Sequence, residues 1–450
     1  MDLRGVFEPI DRVRLNVFHW RAMITTGMGV FTDGYDLSSI GIVLNLVATS
    51  LGIEGNVLWI SLITGSAFIG AVLGAITFGI LANRGRKTFY GVDVALLTVG
   101  ALLQAFVTTP LQLFIVRLLV GFGTGADYVL SPLIMAEHSN ARDRGKLLTL
   151  GFGFVWGLGA TLAAAIYLAL QNFVPPDMLW RIVLALGAVP AASVIYLRRK
   201  IPETARYVAR IRGDAGWLSD IIREISGEEV RVDADLRDNV SYMAYLGAYW
   251  KVIAIASALW FLFDIVAYAG TLFGPTEIAR SMGIYNPAMF QIIIESLFIV
   301  PGALIAAALV DRVGRKPLQT IGFTGMGLSL ILFALVGMGN YMLRLFLYGL
   351  ETLAAQAGPG SISAVGMLGV ELAPTKIRSI AQAITVAAGR IGAAVTSFVF
   401  PYLFHTYGLS FAITFLSIVS FIAAILTMVG VPETKGKPLE EISGEVKFVK

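Results

Sequence analysis

The sequence predicts an all-α polytopic membrane protein whose twelve transmembrane helices form two six-helix bundles related as parallel repeats. The first observation is composition: 56% of the 450 residues are hydrophobic and only 14% are charged, whereas a soluble domain has about 25% charged residues. The second is that apolar stretches of about 20 residues, the length that crosses a bilayer, recur along the whole chain. The third is that three charged motifs occur twice, once in each half.

The apolar stretches are separated by charged or turn-forming residues, which set the approximate ends of the helices. The first stretch has no small-residue cleavage site and continues into a polar segment, so we interpret it as a retained helix and not as a signal peptide. The predicted spans are 22–46, 57–81, 89–108, 110–136, 147–171, 179–197, 249–272, 286–310, 318–337, 341–370, 378–404 and 408–430.

The basic residues indicate how the chain is oriented. With twelve spans both termini lie on one side, and nearly all of the 34 Lys and Arg residues fall in the loops of that side or in the termini. The loops on the opposite side contain one basic residue, Arg280. The positive-inside rule therefore predicts a cell-membrane protein with both termini in the cytoplasm. These charges alternate with apolar spans and form no continuous basic face, which argues against nucleic-acid binding.

Three motifs on the predicted cytoplasmic side are duplicated at nearly the same offset. They are an arginine-rich loop (81–87 and 310–316), a glutamate followed by an arginine, and a Pro-Glu-Thr tripeptide (202–204 and 432–434). We therefore divide the chain into an N-terminal bundle, a cytoplasmic linker with amphipathic helices and a C-terminal bundle with a cytoplasmic tail. Two parallel halves suit alternating access around a solute site near the midplane. The three predicted regions are 1–197, 198–248 and 249–450.

The segment 311–316 (DRVGRK) resembles the loop signature of the major facilitator superfamily, and the glutamate–arginine spacing with the Pro-Glu-Thr motifs resembles its sugar porter branch. The resemblance covers the whole chain and implies a cytoplasmic charge network that latches the outward-facing state. The first-half loop departs from the family pattern because Asn83 replaces an aspartate and cannot form its ion pair. The implied network consists of Arg84, Arg86, Glu137, Arg144, Asp311, Arg315, Glu371 and Arg378.

A narrower resemblance lies inside the membrane. The segments 31–37 (FTDGYDL) and 125–131 (GADYVLS), together with aromatic residues around an aspartate in the seventh span, resemble the phosphate:proton symporters. The DGYD motif is also similar to aromatic acid:proton symporters. The chain departs from the phosphate pattern at Trp156 and Gly360, where that family has a glutamine and an asparagine. The resemblance implies proton movement by Asp33, Asp36 and Asp127 and substrate contacts by Tyr128, Trp260, Asp264 and Tyr268.

The intramembrane carboxylates indicate proton coupling without any family comparison. A carboxylate at the bilayer centre costs about 2.5–3.5 kcal/mol on insertion scales, so each one needs a reason. Asp33 and Asp36 are three residues apart and share a helix face, whereas Trp260, Asp264 and Tyr268 follow one another at intervals of four. Burial favours the neutral acid, so these groups can bind and release a proton as the site opens to one side or the other.

Other polar residues inside the spans have more than one interpretation. Arg390 lies among small residues in the eleventh span and needs a carboxylate partner or an anionic substrate; the sequence leaves both open. Arg117 resembles a structural arginine of the superfamily. Glu295 and Glu351 are candidates for supporting partners of the site. We expect Asp93, near the cytoplasmic end of its helix, to be solvated.

Several function classes lack their sequence features. The chain has no cysteine and three histidines, and it contains neither a Walker-type phosphate loop nor an HExxH motif. We therefore predict that it is not an enzyme, binds no metal and uses no cofactor other than coupling protons. The predicted function is proton-coupled symport of a small anion, either inorganic phosphate or an organic acid, by a monomer whose partners are solute and lipid. The alternatives are a proton-coupled sugar or polyol transporter and a transport-like sensor or channel.

Overall fold

The structure, a computed structural model, describes residues 3–230, 232, 235–336 and 339–445 and places a helix in each predicted span. The predicted boundaries at 1, 337 and 450 and linker positions 231, 233 and 234 lie outside the described residues. The main helices are α1 (Leu3–Arg12), α2 (Val17–Ser50), α3 (Val57–Leu81), α4 (Val92–Gln104), α5 (Pro110–His138), α6 (Arg144–Leu170), α7 (Pro176–Lys200), α8 (Ala215–Ser226), α9 (Tyr242–Phe273), α10 (Pro287–Leu309), α11 (Arg315–Leu335), α12 (Tyr341–Ala357), α13 (Arg378–Tyr407) and α14 (Leu409–Gly430).

Within the described part of the chain, nine helices are long and apolar enough to cross a membrane by themselves. The other three predicted spans correspond to α2, α4 and α12. Helix α2 has 34 residues but carries the polar segment 31–37, whereas α4 and α12 have 13 and 17 helical residues. Helix α2 is therefore too polar, and α4 and α12 are too short, to cross a membrane by the same criteria. The twelve helices together still account for every apolar stretch of the sequence.

The tenth predicted span, 341–370, is not one continuous helix. Helix α12 ends at Ala357, and a short 3₁₀ turn (Pro359–Ser361) and a separate helix (Met367–Glu371) follow it. A proline lacks the backbone N–H and disfavours helical geometry in the residue before it, so Gly358 is the natural end of the helix. Gly366, with a φ of 75°, then starts the next helical segment.

The two halves meet along three pairs of helices. Helix α3 packs along α13, α6 packs against α10, and α2 contacts α9. Within each half, glycines allow close packing: Gly121 and Gly125 of α5 lie directly against the α3 backbone at Ala67 and Ala71. Any larger side chain there would overlap that backbone, which is why small residues mark helix contacts in membranes.

A small layer on the predicted cytoplasmic side covers the end of the N-terminal bundle. Helix α1 packs its apolar face against α8 and the segment 205–209, forming a hydrophobic cluster of its own. Arg206 ties three regions together because it donates to Asp11 of α1 at 2.7 Å and to Glu440 of the C-terminal tail at 2.6 Å. The linker therefore contains amphipathic helices, and it is joined to both chain termini.

The positive charge of Arg206 offsets the effect of burial on the pKa of one carboxylate partner but not of the other. Burial, only partly offset by Arg206, raises the pKa of Asp11 from 3.8 to about 6. Arg206 outweighs the effect of burial on Glu440 and holds its pKa below the usual value. Asp11 is therefore the member of this cluster that takes up a proton in mildly acidic solution.

Replacing Asp11 by asparagine is expected to change how stability depends on pH. Because the folded protein binds this proton more tightly than the unfolded chain, the proton stabilises the fold below about pH 4, and this contribution is lost as pH rises through about 6. Melting temperatures of wild type and Asp11→Asn, measured across that range, should differ by an amount that changes with pH. The surface variant Asp220→Asn is the control, and a constant offset for Asp11→Asn would contradict the assignment.

Candidate functional site

A cavity of about 90 Å³ lies between the two halves. It is enclosed mainly by apolar and aromatic side chains, with a few polar groups. Two π-helical turns, Thr149–Phe154 in α6 and Glu295–Ile299 in α10, contribute to its wall, and such turns are frequent at functional sites. The polar and aromatic residues that line it include Tyr128, Trp156, Trp260, Asp264, Tyr268, Gln291, Glu295, Tyr348, Glu351, Gln356 and Arg390.

Arg390 of α13 is the centre of the charged part of this cavity. Its guanidinium donates to the Tyr268 hydroxyl at 2.5 Å and to Asp33 Oδ2 at 3.3 Å. The Asp264 carboxylate is 3.6 Å away, and the ring of Tyr128 lies 4.2 Å from the guanidinium carbon. Four predicted site residues, contributed by α2, α5 and α9, thus converge on the predicted arginine.

This cluster keeps unused hydrogen-bonding capacity. Asp33 Oδ1, Asp264 Oδ2 and the indole N–H of Trp260 are buried and make no hydrogen bond of good geometry with the described residues, although the indole is close enough to the Asp264 carboxylate to interact with it. Gly389 makes room for the indole, since a Cβ at that position would overlap the Trp260 ring. Buried polar groups are normally paired, so these three atoms mark where a solute, a water or a proton would be accommodated.

Asp36 lies outside this cluster although it is only three residues from Asp33. Its Oδ1 accepts from Gln104 at 3.0 Å, and Arg117 lies 3.3 Å from Oδ2. Arg117 also donates to Gln104 at 3.0 Å and to the Ile63 carbonyl at 3.1 Å. These contacts join four helices of the N-terminal bundle, and they agree with the structural role expected for Arg117.

Asp127 belongs to a third buried cluster, with Asp93 and Arg198. One guanidinium nitrogen of Arg198 lies 2.5 Å from Asp93 Oδ2 and 2.5 Å from Asp127 Oδ1, and Ser131 donates to Asp127 at 2.5 Å. The expectation that Asp93 is solvated is wrong, because its side chain is fully buried. Arg198 is the first residue of the predicted linker 198–248, but in the structure it belongs to the last turn of α7. Its side chain reaches back between the helices.

The predicted cytoplasmic network forms two equivalent ion-pair groups that bridge the halves. In one, Glu371 accepts from Arg144 at 2.8 Å and from Arg315 at 2.9 Å. In the other, Glu137 accepts from Arg378 at 2.9 Å and lies 3.4 Å from Arg86. Because each group joins residues of both halves, the network holds the halves together at the end of the molecule that is predicted to face the cytoplasm.

The duplicated Pro-Glu-Thr motifs complete these groups. Thr434 donates to Glu371 at 2.5 Å, and Thr204 makes the equivalent bond to Glu137. The motif glutamates bind the arginine-rich loops: Glu433 accepts the backbone N–H of Lys316 at 3.1 Å, and Glu203 accepts that of Lys87 at 3.2 Å. The repeat seen in the sequence is therefore a repeated hydrogen-bonding unit.

The first-half loop differs from the predicted network at two positions. Arg84 is exposed and makes no ion pair with any residue that the structure describes, so its inclusion in the network is wrong; Arg86 alone represents this loop. Asn83 accepts from Arg86 and from Ser379, each at 3.3 Å. In the second half, the equivalent position is Asp311, which accepts the backbone N–H groups of residues 145 and 146 at 3.2 and 2.6 Å. The contact that Asn83 makes in the first half is therefore neutral and weaker than the contact that Asp311 makes in the second.

Neutralising Glu371 should open the cytoplasmic side. Glu371→Gln removes the charge that pairs with Arg144 and Arg315, and breaking a buried ion pair costs about 3–5 kcal/mol. Because the chain has no cysteine, Ala364→Cys in the cavity wall gives a single reporter thiol. Adding Glu371→Gln should raise its labelling from the cytoplasmic side by about tenfold or more. Asp220→Asn is the control, and equal rates with and without Glu371→Gln would contradict the latch.

Comparison with known proteins places the chain in a family. A family model described as "Sugar (and other) transporter" matches residues 22–445. The chain is 31% identical to "Probable inorganic phosphate transporter 1-10" of Oryza sativa subsp. japonica, over 97% of this chain and 92% of the relative. It is 29% identical to "Probable inorganic phosphate transporter 1-6" of Arabidopsis thaliana, over 98% of this chain and 97% of the relative.

Solved structures have the same fold. The ligand-bound structure of the "MFS (major facilitator superfamily) proton:xylose symporter XylE" superposes with a TM-score of 0.81 at 22% identity, covering 95% of this chain and 99% of that one. The inward-open xylose transporter XylE from E. coli gives 0.71 at 22% identity, with the same coverage. The chain therefore belongs to the sugar (and other) transporter family of the major facilitator superfamily, is a multi-pass membrane protein, and resembles the inorganic phosphate transporters.

Proposed function

We propose that this chain is a proton-coupled symporter of a small anion, with inorganic phosphate as the first candidate and an organic acid as the second. The observation that carries the proposal is Arg390, the only cation lining the cavity among the described residues, held by Asp33 and Asp264. A guanidinium is suited to carboxylate and phosphate oxygens. The names of the plant relatives support phosphate.

The charge balance around Arg390 supports coupling to protons. Two carboxylates face one guanidinium, so an incoming anion is repelled while Asp33 and Asp264 are both ionised. Protonation of either carboxyl group removes a negative charge and releases part of the guanidinium for the solute. Anion binding and proton binding then favour each other, and this linkage is reciprocal. When the cavity opens to the cytoplasm, water stabilises the ionised acids and the anion leaves.

Helices α5 and α9 supply the side chains proposed to position the solute. The indole N–H of Trp260, which lies beside Asp264, is a donor for an anion oxygen, and the ring centres of Tyr128 and Tyr268 lie 4.2 and 5.5 Å from the Arg390 guanidinium carbon. Trp156 and Gly360 also line the cavity. Since these positions hold amides in the phosphate symporters, the wall is less polar here, which favours an organic acid as the second candidate.

The transport cycle follows from the two halves. We place both termini in the cytoplasm because the basic loops lie on that side. The ion pairs around Glu137 and Glu371 then hold the cytoplasmic side closed while solute and proton bind from outside, and their separation lets the cavity open inward. Asp127, bound to Arg198 within the N-terminal bundle, remains a candidate for proton transfer between the cavity and the cytoplasm.

A sugar or polyol is the second candidate class of solute. Two amides, Gln291 and Gln356, line the cavity, and amides suit hydroxyl groups because they both donate and accept hydrogen bonds. Gln356 is already engaged, since it donates to the Gly153 carbonyl at 3.1 Å. An uncharged solute would also leave Arg390 without a role in binding. A channel or sensor, in contrast, would not exchange solute across the membrane in alternating steps.

Uptake by purified protein in proteoliposomes tests the proposal. Labelled phosphate should enter against its gradient when the outside is acidic, and a protonophore should abolish this accumulation. Preloaded unlabelled phosphate should drive counterflow, which a channel does not produce. Competition by carboxylic acids and by sugars identifies the preferred class. Uptake of a sugar without any anion, or anion uptake that ignores the proton gradient, would contradict the proposal.

A further inference from the structure

A second ionisable group lines the cavity from α10. The side chain of Glu295 is fully buried and lies on the cavity wall at the start of the π-helical turn. Its Oε1 accepts from Gln291 at 2.7 Å, whereas Oε2 has no hydrogen-bond partner among the described residues. Because Gln291 fixes the orientation of the carboxyl group, the unpaired oxygen is a defined position in the cavity.

No positive charge among the described residues compensates Glu295. The cavity's described cation, Arg390, forms its ion pairs with Asp33 and Asp264. An isolated carboxylate in an apolar cavity is strongly disfavoured relative to the neutral acid. Since Oε1 already accepts a hydrogen bond, the proton of the neutral acid belongs on Oε2, where it is available as a donor.

The elements packed around Glu295 contribute few other titratable groups to the cavity. Helix α12 contributes Glu351 and Tyr348, whereas α6 contributes Phe152, Gly153 and Trp156, and α2 contributes only Val30. An ionised Glu351 would repel a charge on Glu295 and would further favour its neutral form. The remaining charged or titratable groups lining the cavity are Asp264, Tyr268, Arg390 and Tyr128.

We propose that Glu295 is a second proton-binding site of the transport cycle, located in the C-terminal half, and that its neutral acid donates a hydrogen bond from Oε2 to the bound anion. The proton adds to Oε2 when the cavity is closed around the solute. It leaves for water when the cavity opens, and the carboxylate then repels the anion. This step moves one proton and needs no other reactant. It rests on the proposed function for the identity of the solute as an anion.

Infrared spectroscopy of the purified protein in lipid discs tests the proton site without transport. Wild type at neutral pH should show the C=O stretch of a protonated carboxyl group that Glu295→Gln lacks. Glu54→Gln makes the same change on an exposed loop and should keep the band. The proposal is overturned if Glu295→Gln and wild type have the same carboxyl bands at neutral pH. Glu295→Asp, which keeps a carboxyl group, covers the case in which the amide variant does not fold.

The pH dependence of phosphate affinity tests the role in binding. Glutamine imitates the neutral acid, so Glu295→Gln should bind phosphate at acidic pH about as well as wild type. Above the titration range of Glu295, wild type should lose about tenfold in affinity per pH unit relative to the variant. Titration of phosphate itself cancels in this ratio. A ratio that does not change with pH would overturn the proposal, whereas wild type that binds no phosphate while showing the infrared band would count only against the proposed solute.

Discussion

Arg390→Gln is expected to lower anion uptake and anion binding by about a hundredfold or more. The change removes the cation at the centre of the cavity and leaves Asp33 and Asp264 without their partner. Removing one member of a buried ion pair costs about 3–5 kcal/mol, and each 1.4 kcal/mol corresponds to about tenfold in affinity. The measurement is phosphate affinity by thermal shift, together with initial uptake rates in proteoliposomes.

Two further variants separate binding from folding in this experiment. Arg390→Lys keeps the charge but loses the planar pair of donors, so its affinity should lie between those of wild type and Arg390→Gln. Arg280→Gln changes an arginine in an outer loop and should leave uptake unchanged. A folded Arg390→Gln protein that transports phosphate at the wild-type rate would remove this residue from the mechanism.

Asp33→Asn should sharply lower accumulation driven by a proton gradient while solute counterflow persists. Asparagine keeps the size of the side chain and resembles the neutral acid, so the anion can still bind beside Arg390. It cannot release a proton, so the gradient performs less work on the solute, and only the protons carried by Asp264 or Glu295 remain. Accumulation should fall well below the wild-type level, whereas exchange of labelled for unlabelled phosphate should stay within about threefold of wild type, a change of less than about 1 kcal/mol.

Asp36→Asn provides the matched comparison three residues further along α2. Its partners Arg117 and Gln104 belong to the N-terminal bundle, so the variant should lose stability, by about 3–5 kcal/mol for the uncompensated guanidinium. Protein that remains folded should still couple transport to protons. Loss of coupling in Asp36→Asn with retained coupling in Asp33→Asn would reverse the two assignments.

The architecture could be predicted from the sequence because burial in lipid constrains every residue of a span. Apolar length, loop charge and the duplicated motifs each report on the same twelve-helix arrangement, and the helices lie where those patterns place them. The interruption of the tenth span was overlooked although Gly358 and Pro359 are visible in the sequence. The stretch is apolar throughout, so composition predicts one continuous span even though Pro359 has no backbone N–H to donate.

The polar residues of the site could be identified, but their partners could not. An intramembrane charge is conspicuous in a sequence, and four of the predicted residues meet around Arg390. Spacing along α2 suggested that Asp33 and Asp36 act together, yet they bind arginines on α13 and α5. Such pairings depend on which helices become neighbours, and no local pattern carries that information.

Arg198 and Glu295 illustrate two signals that could have been used more fully. Arg198 follows an apolar stretch directly, so the sequence places it in a loop, although the intramembrane carboxylate Asp127 already required a cation nearby. Glu295 has a glutamine four residues before it, which on a helix places an amide next to the carboxyl group. That spacing was visible, whereas the cavity it faces required the structure.

The most direct test of proton–anion coupling at Arg390 is to follow the internal pH of proteoliposomes while phosphate is added outside, with no initial pH gradient. The account predicts that phosphate entry acidifies the interior in wild type and that Asp33→Asn lowers the acidification per phosphate transported. Phosphate entry through wild type with no change of internal pH would contradict the account.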